Sequence, residues 1–200
     1  MKPGGLRRYV VGLAVFVGLG LAFTVASLYA SAPSTKVGTL RSLGTIPIHE
    51  LELVAMGVAI GLLATVASRK LSAVTFVLPV AMIVLLDLDH FPAALGLPQP
   101  IRPAHSVFFI FLVVAVLWVL KQPPETELLS VSAFIGHLGV DNGVFPLFSP
   151  FSFTYYRLIA YRPELLAASG GIALLAGFAY RRGSGAVLRP GMRAAAEGHQ

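Results

Sequence analysis

The sequence predicts an all-α integral membrane protein of about six transmembrane helices, and its composition and hydropathy pattern lead to that class. Of the 200 residues, 56% are hydrophobic and only 12% are charged, and the mean hydropathy is +0.80. That charged share is about half the share of an ordinary soluble domain. The apolar residues come in long runs without strand alternation, and helices satisfy their own backbone hydrogen bonds in lipid.

Six apolar runs mark the predicted helices, and at about 1.5 Å per residue most can cross a hydrocarbon core of roughly 30 Å. They cover residues 9–30, 51–68, 71–88, 106–120, 128–147 and 164–180. The first run has an alternative interpretation as a signal sequence cleaved after Ala32. Its apolar core is long for that role, and Pro33 would follow the cut directly, so we expect a retained helix.

The Lys and Arg residues set the predicted orientation. With the N-terminus inside, the inside segments hold ten basic residues and the outside segments hold five. This bias places both termini in the cytoplasm and predicts a multi-pass protein of the plasma (inner) membrane. The net charge is +6, but the basic residues lie at the ends of apolar runs, which indicates headgroup contact and not nucleic acid binding. The chain has no cysteine, so thiolate sites and disulfides are excluded.

Ionisable side chains collect at the predicted outer ends of the helices. Asp at a helix centre costs about 2.5–3.5 kcal/mol on insertion scales, so such residues require a reason. The set is His49, Glu50, Asp87, Asp89, His90, His105, His137 and Asp141. We expect His137 near the middle of the fifth helix, with Asp141 one turn further out on the same helix face.

Imidazole nitrogen and carboxylate oxygen are the usual ligands of zinc, manganese or iron where thiolates are absent. The sequence therefore predicts a site for one or two divalent metal ions, zinc or manganese, on the extracytoplasmic side. The predicted ligands are His49, Asp87, His90, His105, His137 and Asp141. Asp89 and Glu50 are the candidate general bases, a role that His90 could also fill, and Arg102 is the candidate phosphate-binding group.

Four blocks of these residues resemble the YdjM-like family of membrane-bound metal-dependent hydrolases of the inner membrane. The blocks are His49 opening a glycine-containing helix, Asp87-Leu-Asp89-His90, Arg102-Pro-Ala-His105-Ser106 and His137-Leu-Gly-Val-Asp141. The resemblance covers about residues 46–160, in the same order and with similar separations. Asn142-Gly143 stands where that family commonly has Thr-Pro. The resemblance implies a hydrolase that acts on phospholipids.

Three segments follow from these predictions: residues 1–45, an N-terminal transmembrane helix and outer loop; residues 46–162, a metal-dependent hydrolase-like membrane core; and residues 163–200, a last helix with a basic cytoplasmic tail. The predicted function is hydrolysis near the outer leaflet of a phospholipid or another lipid phosphoester, with membrane lipid as the substrate. The aromatic residues between 150 and 162 are expected to lie along the outer membrane surface. The alternative is an ion-binding or transporter-like protein that uses the same His/Asp cluster.

Overall fold

The computed structural model describes residues 3–29, 46–87, 103–141, 144–149, 151–152 and 154–186. Six helices form the described part of the chain. They are α1 (Pro3–Tyr29), α2 (Ile46–Ser68), α3 (Ala73–Leu85), α4 (Val107–Val119), α5 (Pro124–Val140) and α6 (Arg162–Ala186). Two strands, β1 (Val144–Phe145) and β2 (Tyr156–Arg157), pair antiparallel after α5. The prediction of an all-α fold is confirmed.

Local side chains explain where several helices begin. Ser72 and Thr75 form a reciprocal capping box at the start of α3, and the Ser106 hydroxyl accepts the Phe109 N–H (3.1 Å) at the start of α4. Both contacts satisfy donors that have no partner within a helix. Helix α5 begins with Pro124, which suits the first helical position because its missing N–H is not needed there.

The predicted bounds of the fifth helix, residues 128–147, were wrong. Helix α5 begins four residues earlier, at Pro124, and ends at Val140. Asp141 is already extended, with φ −67° and ψ 128°, and the apolar residues that follow form β1 instead of another helical turn. His137 therefore lies in the last turn of α5, and its predicted place near the middle of the helix was also wrong.

Small residues bring α2 close to its two neighbours. At Gly57 an added Cβ would lie 2.7 Å from the Val80 Cα, and at Gly61 it would lie 3.1 Å from the Phe76 Cα, both on α3. Gly177 on α6 packs in the same way against Ala64 of α2. Close backbone approach through small residues is typical of helix packing in lipid, where dispersion contacts replace the hydrophobic effect.

Helix α1 belongs to the same packed unit. Its Phe16 is fully buried and meets Phe109 of α4 edge to face, with ring centroids 5.6 Å apart. Nearer the start of α1, the Tyr9 hydroxyl donates to Glu125 Oε1 at the beginning of α5 (2.9 Å). Helix α1 therefore contributes buried side chains to the core that α4 and α5 share.

Two of the described helices are long and apolar enough to cross a membrane, Leu51–Ser68 and Ile159–Gly183. Only 39% and 28% of their apolar windows are buried inside the protein, so most of their apolar surface faces outward. Tyr9–Val25, Ala73–Leu85 and Val107–Val119 are apolar but shorter. The structure thus supports membrane association, while a count of six transmembrane helices stays a prediction.

Candidate metal centre

Four of the predicted ligands come together at one end of the helical core. Asp87 lies in the 3₁₀ turn that continues α3, and His105 ends the 3₁₀ helix Pro103–His105 that precedes α4. His137 lies in the last turn of α5 and Asp141 follows that helix directly. One ligand atom from each residue can be chosen so that all four atoms lie within 4.8 Å of one another. Three separate stretches of the chain therefore build one His/Asp cluster, which could hold a metal ion.

Three of the four ligand atoms lie at separations that would suit bonds to one metal ion. His105 Nε2 and His137 Nε2 lie 2.9 Å apart, and Asp87 Oδ1 lies 3.5 and 3.4 Å from these two nitrogens. The point equidistant from the three atoms in their plane lies about 1.9 Å from each, a little less than the roughly 2.0–2.2 Å of zinc bonds to nitrogen and oxygen.

The His137 ring is oriented by the main chain of α3. Its Nδ1 lies 3.0 Å from the carbonyl oxygen of Ile83, and since a carbonyl can only accept, Nδ1 carries the proton. In the neutral ring, Nε2 then presents its lone pair toward His105 and Asp87. A ligating histidine whose second nitrogen donates to a carbonyl is a common arrangement at metal sites.

Aromatic packing holds the second imidazole. The ring of Phe145, on β1, stacks on the His105 ring with centroids 5.5 Å apart and an interplanar angle of 12°. The His105 and His137 rings meet at 64°. Beyond this cluster, the main-chain N–H of Val107 donates to the carbonyl of Leu147 (2.8 Å), which ties the chain after α5 to the start of α4.

The cluster is closed off from solvent. Both histidines are 0% exposed, Asp141 is 3% exposed, and the Asp87 side chain is 7% exposed. Buried carboxylates are costly unless a cation or several hydrogen bonds compensate their charge. Two carboxylates that face two imidazoles in a buried position therefore suit a divalent cation. Asp141 and His137 do lie one turn apart, as predicted, with the Asp141 N–H donating to the His137 carbonyl (2.9 Å).

The remaining predicted site residues stay predictions. Asp89, His90 and Arg102 lie outside the described residues. His49 and Glu50 lie on α2 near its start, and their side chains are outside the described part. Two contributions to the site were not predicted, the carbonyl of Ile83 and the ring of Phe145. The carbonyl has no sequence signal, because every residue carries one.

Comparison with models of protein families, with curated proteins and with solved structures finds no match for this chain. The resemblance to the YdjM-like family therefore rests on the four sequence blocks alone. The geometry of the cluster is independent of that resemblance, since it follows from the positions of Asp87, His105, His137 and Asp141.

Proposed function

We propose that the chain is a multi-pass membrane protein that binds one divalent cation, zinc or manganese, at the His/Asp cluster and hydrolyses a phosphoester of a membrane lipid. The observation that carries this proposal is the buried convergence of Asp87, His105, His137 and Asp141. The proposed topology has six membrane helices, both termini in the cytoplasm and the site toward the extracytoplasmic side of the plasma membrane. In this proposal the chain is a relative of the YdjM-like hydrolases.

Helix length supports a site within reach of lipid. Helix α3 has 13 residues from Ala73 to Leu85, two residues before Asp87, or about 20 Å at 1.5 Å per residue. The hydrocarbon core is roughly 30 Å thick. If the turn between α2 and α3, which carries Arg69 and Lys70, lies at the cytoplasmic surface, the cluster lies below the opposite surface, near the acyl chains and headgroups of the outer leaflet.

The residues in and around the cluster would have separate roles in this reaction. Asp87, His105, His137 and Asp141 would hold the cation, which supplies a Lewis acid and lowers the pKa of water when bound. Ile83 and Phe145 keep the two imidazoles in position, and the surrounding burial excludes bulk water. Asp89 or Glu50 would accept the proton of the attacking water.

Arg102 would hold the phosphate of the lipid as a bidentate partner. It precedes His105 by three residues in the sequence, which places the phosphate-binding group and a cation ligand in the same short segment. In this arrangement Arg102 and the cation would both bind the lipid phosphate. The leaving alcohol of the lipid then takes up a proton from the protonated general base.

The alternative is an ion-binding or transporter-like role. Four further polar residues of α5 are buried on the cytoplasmic side of His137 in the proposed topology: Glu125, Thr126, Ser130 and Ser132. However, the Ser130 hydroxyl donates to the Thr126 carbonyl (2.8 Å), which leaves it engaged with the helix itself. Glu125, the ionisable residue among them, lies in the first turn of α5 and accepts the Tyr9 hydroxyl (2.9 Å). Between Glu125 and His137 the buried polar residues of α5 are hydroxyl residues, so hydrolysis accounts for the location of the charged groups better than a path across the membrane does.

The test is a measurement of bound metal by mass spectrometry on the protein purified in mild detergent. We expect about one equivalent of a transition metal in the wild type and its loss in the His105→Ala/His137→Ala double variant. Leu138→Ala is the matched control, because Leu138 is buried next to His137. This substitution removes a buried side chain of about the size of one imidazole without removing a ligand. It should keep its metal.

Activity is tested on the same preparations. Phosphate or headgroup release from phospholipid in mixed micelles should require the metal and should be absent in the double variant. If the folded wild type binds no metal after incubation with zinc or manganese, the hydrolase proposal is wrong. Metal binding with no hydrolysis of any phospholipid, together with metal uptake into vesicles, would favour the transporter-like alternative.

A further inference from the structure

The chain between α5 and α6 carries an exposed apolar surface, here called the outer hairpin, which comprises the described residues from 144 to 161. Phe151 is 79% exposed, Tyr161 60% and Ile159 50%. Phe148 is also about half exposed, and its ring packs edge to face against Tyr156. Exposed aromatic side chains clustered in a short segment between two α-helices are unusual on a surface that faces only water.

The opposite side of the outer hairpin is attached to the metal centre. Phe145 is fully buried and stacks on His105. The Phe151 ring, although mostly exposed, also contacts Phe108 of α4 edge to face, with centroids 5.2 Å apart. The Leu147 carbonyl accepts the Val107 N–H. Because these contacts hold the outer hairpin in place, its exposed side chains have a defined direction relative to the His/Asp cluster.

The charges in the outer hairpin and in the first turn of α6 that follows it are mainly basic. Arg157 is exposed on β2, opposite Val144 of β1, and Arg162 begins α6. Glu164, also exposed, is the acidic residue in the first turn of α6. Aromatic rings with arginines at the end of a membrane helix are typical of the headgroup layer, where rings bury their faces and arginines contact phosphates.

We propose that the outer hairpin docks on the headgroup layer of an anionic leaflet and thereby presents anionic phospholipids to the metal centre. The occupant is the bilayer surface, because the apolar surface is continuous with a helix of spanning length, Ile159–Gly183, and because arginine complements the anionic phosphate. The choice of anionic phospholipid as substrate rests on the proposed function; the docking of the hairpin does not.

The absence of cysteine from the chain allows a direct test by single labels. An environment-sensitive fluorophore is attached to the cysteine of the Ile159→Cys variant. The labelled protein is reconstituted in vesicles of phosphatidylcholine with or without phosphatidylglycerol. Quenching is compared among nitroxide lipids labelled at the headgroup, nitroxide lipids labelled deep in the acyl chain, and aqueous iodide. Leu175→Cys, on the exposed face of α6, is the matched control, and deep nitroxides should quench it.

We expect the label at position 159 to be quenched by headgroup nitroxides and protected from iodide when phosphatidylglycerol is present. Arg157→Gln should lower the ratio of docked to undocked label about fivefold in these vesicles, since one arginine near an anionic surface contributes roughly that factor. Arg157→Lys should restore the ratio. Arg157 and the labelled position Ile159 are both exposed, so substitutions at these two positions leave the packed core intact.

Two results would overturn the docking proposal. Strong iodide quenching at position 159 with no effect of any nitroxide lipid would show that the hairpin faces water. Energy transfer between labelled copies, without nitroxide quenching, would show that a second copy of the chain covers it. Neither readout depends on bound metal or on hydrolysis, so failure of the proposed function is distinguishable from failure of the docking. With docking established, equal hydrolysis of anionic and zwitterionic phospholipids would refute the substrate preference.

Discussion

Gly177 lies where α6 crosses α2, and the structure leaves no space there for a methyl group. A Cβ at position 177 would lie 2.7 Å from the Ala67 Cβ and 3.0 Å from the Ala64 carbonyl carbon. Ala64 is fully buried and Ala67 nearly so, and the contact with Ala64 is to its main chain. No side-chain rotation relieves it, so Gly177→Ala must push the two helices apart.

The expected magnitude comes from two opposing effects. Overpacking of a well-packed core costs about 1–3 kcal/mol, whereas replacing a glycine within a helix by alanine contributes up to about 1 kcal/mol of stability. Gly171, on the same helix, has nothing within 4 Å of an added Cβ. Gly171→Ala therefore shows only the stabilising effect. The free energies of unfolding of the two variants should differ by about 2 kcal/mol.

The assay is unfolding of the purified protein in mixed micelles by increasing fractions of SDS, followed by circular dichroism. Gly177→Ala should unfold at a lower SDS fraction than the wild type, and Gly171→Ala at the same or a higher fraction. If the two variants unfold together, the close approach of α2 and α6 is not a feature of the protein and the packing argument fails.

Two further predictions use the same unfolding assay. The Ser132 hydroxyl donates to the Ser169 carbonyl (2.9 Å) and the Ser169 hydroxyl donates to the Ser132 carbonyl (2.8 Å). Ser132→Ala and Ser169→Ala should each cost about 0.6 kcal/mol. Because the two hydroxyl oxygens also lie 3.2 Å apart, the effects of the two substitutions should be coupled, and the double variant should differ from their sum; a double variant as stable as the wild type would contradict this. Tyr9→Phe should cost about 1–3 kcal/mol because it removes a donor from the buried carboxylate of Glu125, whereas Tyr161→Phe, at an exposed ring, should have no effect.

The candidate site could be predicted in part because lipid makes charges rare. Only a few ionisable residues interrupt the apolar runs, and their positions at the same ends of successive helices place them at one level. This reasoning predicted that Asp87, His105, His137 and Asp141 lie together, and the structure confirms it. The roles of His49, Glu50, Asp89, His90 and Arg102 stay predictions.

The end of α5 could not be read from hydropathy. A hydropathy average bridges Asp141-Asn142-Gly143 and joins the apolar residues of β1 to the helix, although Asn-Gly is a turn signal that the sequence offered. The start of α5 had a usable signal, since a proline followed by acidic residues is typical of a first helical turn. Pro124, Glu125 and Glu127 form that pattern, but their polarity left them outside the predicted run, which began at residue 128.

The orientation of His137 has a consequence for how the site tolerates mutation. The His137 Nδ1–H donates to the carbonyl oxygen of Ile83, which lies in the last turn of α3. Carbonyls in the last turn of a helix have no partner further along that helix. No substitution of the side chain at position 83 can delete a main-chain oxygen, so point mutations there leave the imidazole aligned. Insertion or deletion of one residue within α3 would rotate that oxygen away by about 100°. The ring alignment is therefore robust to changes of residue type and fragile to changes of helix length.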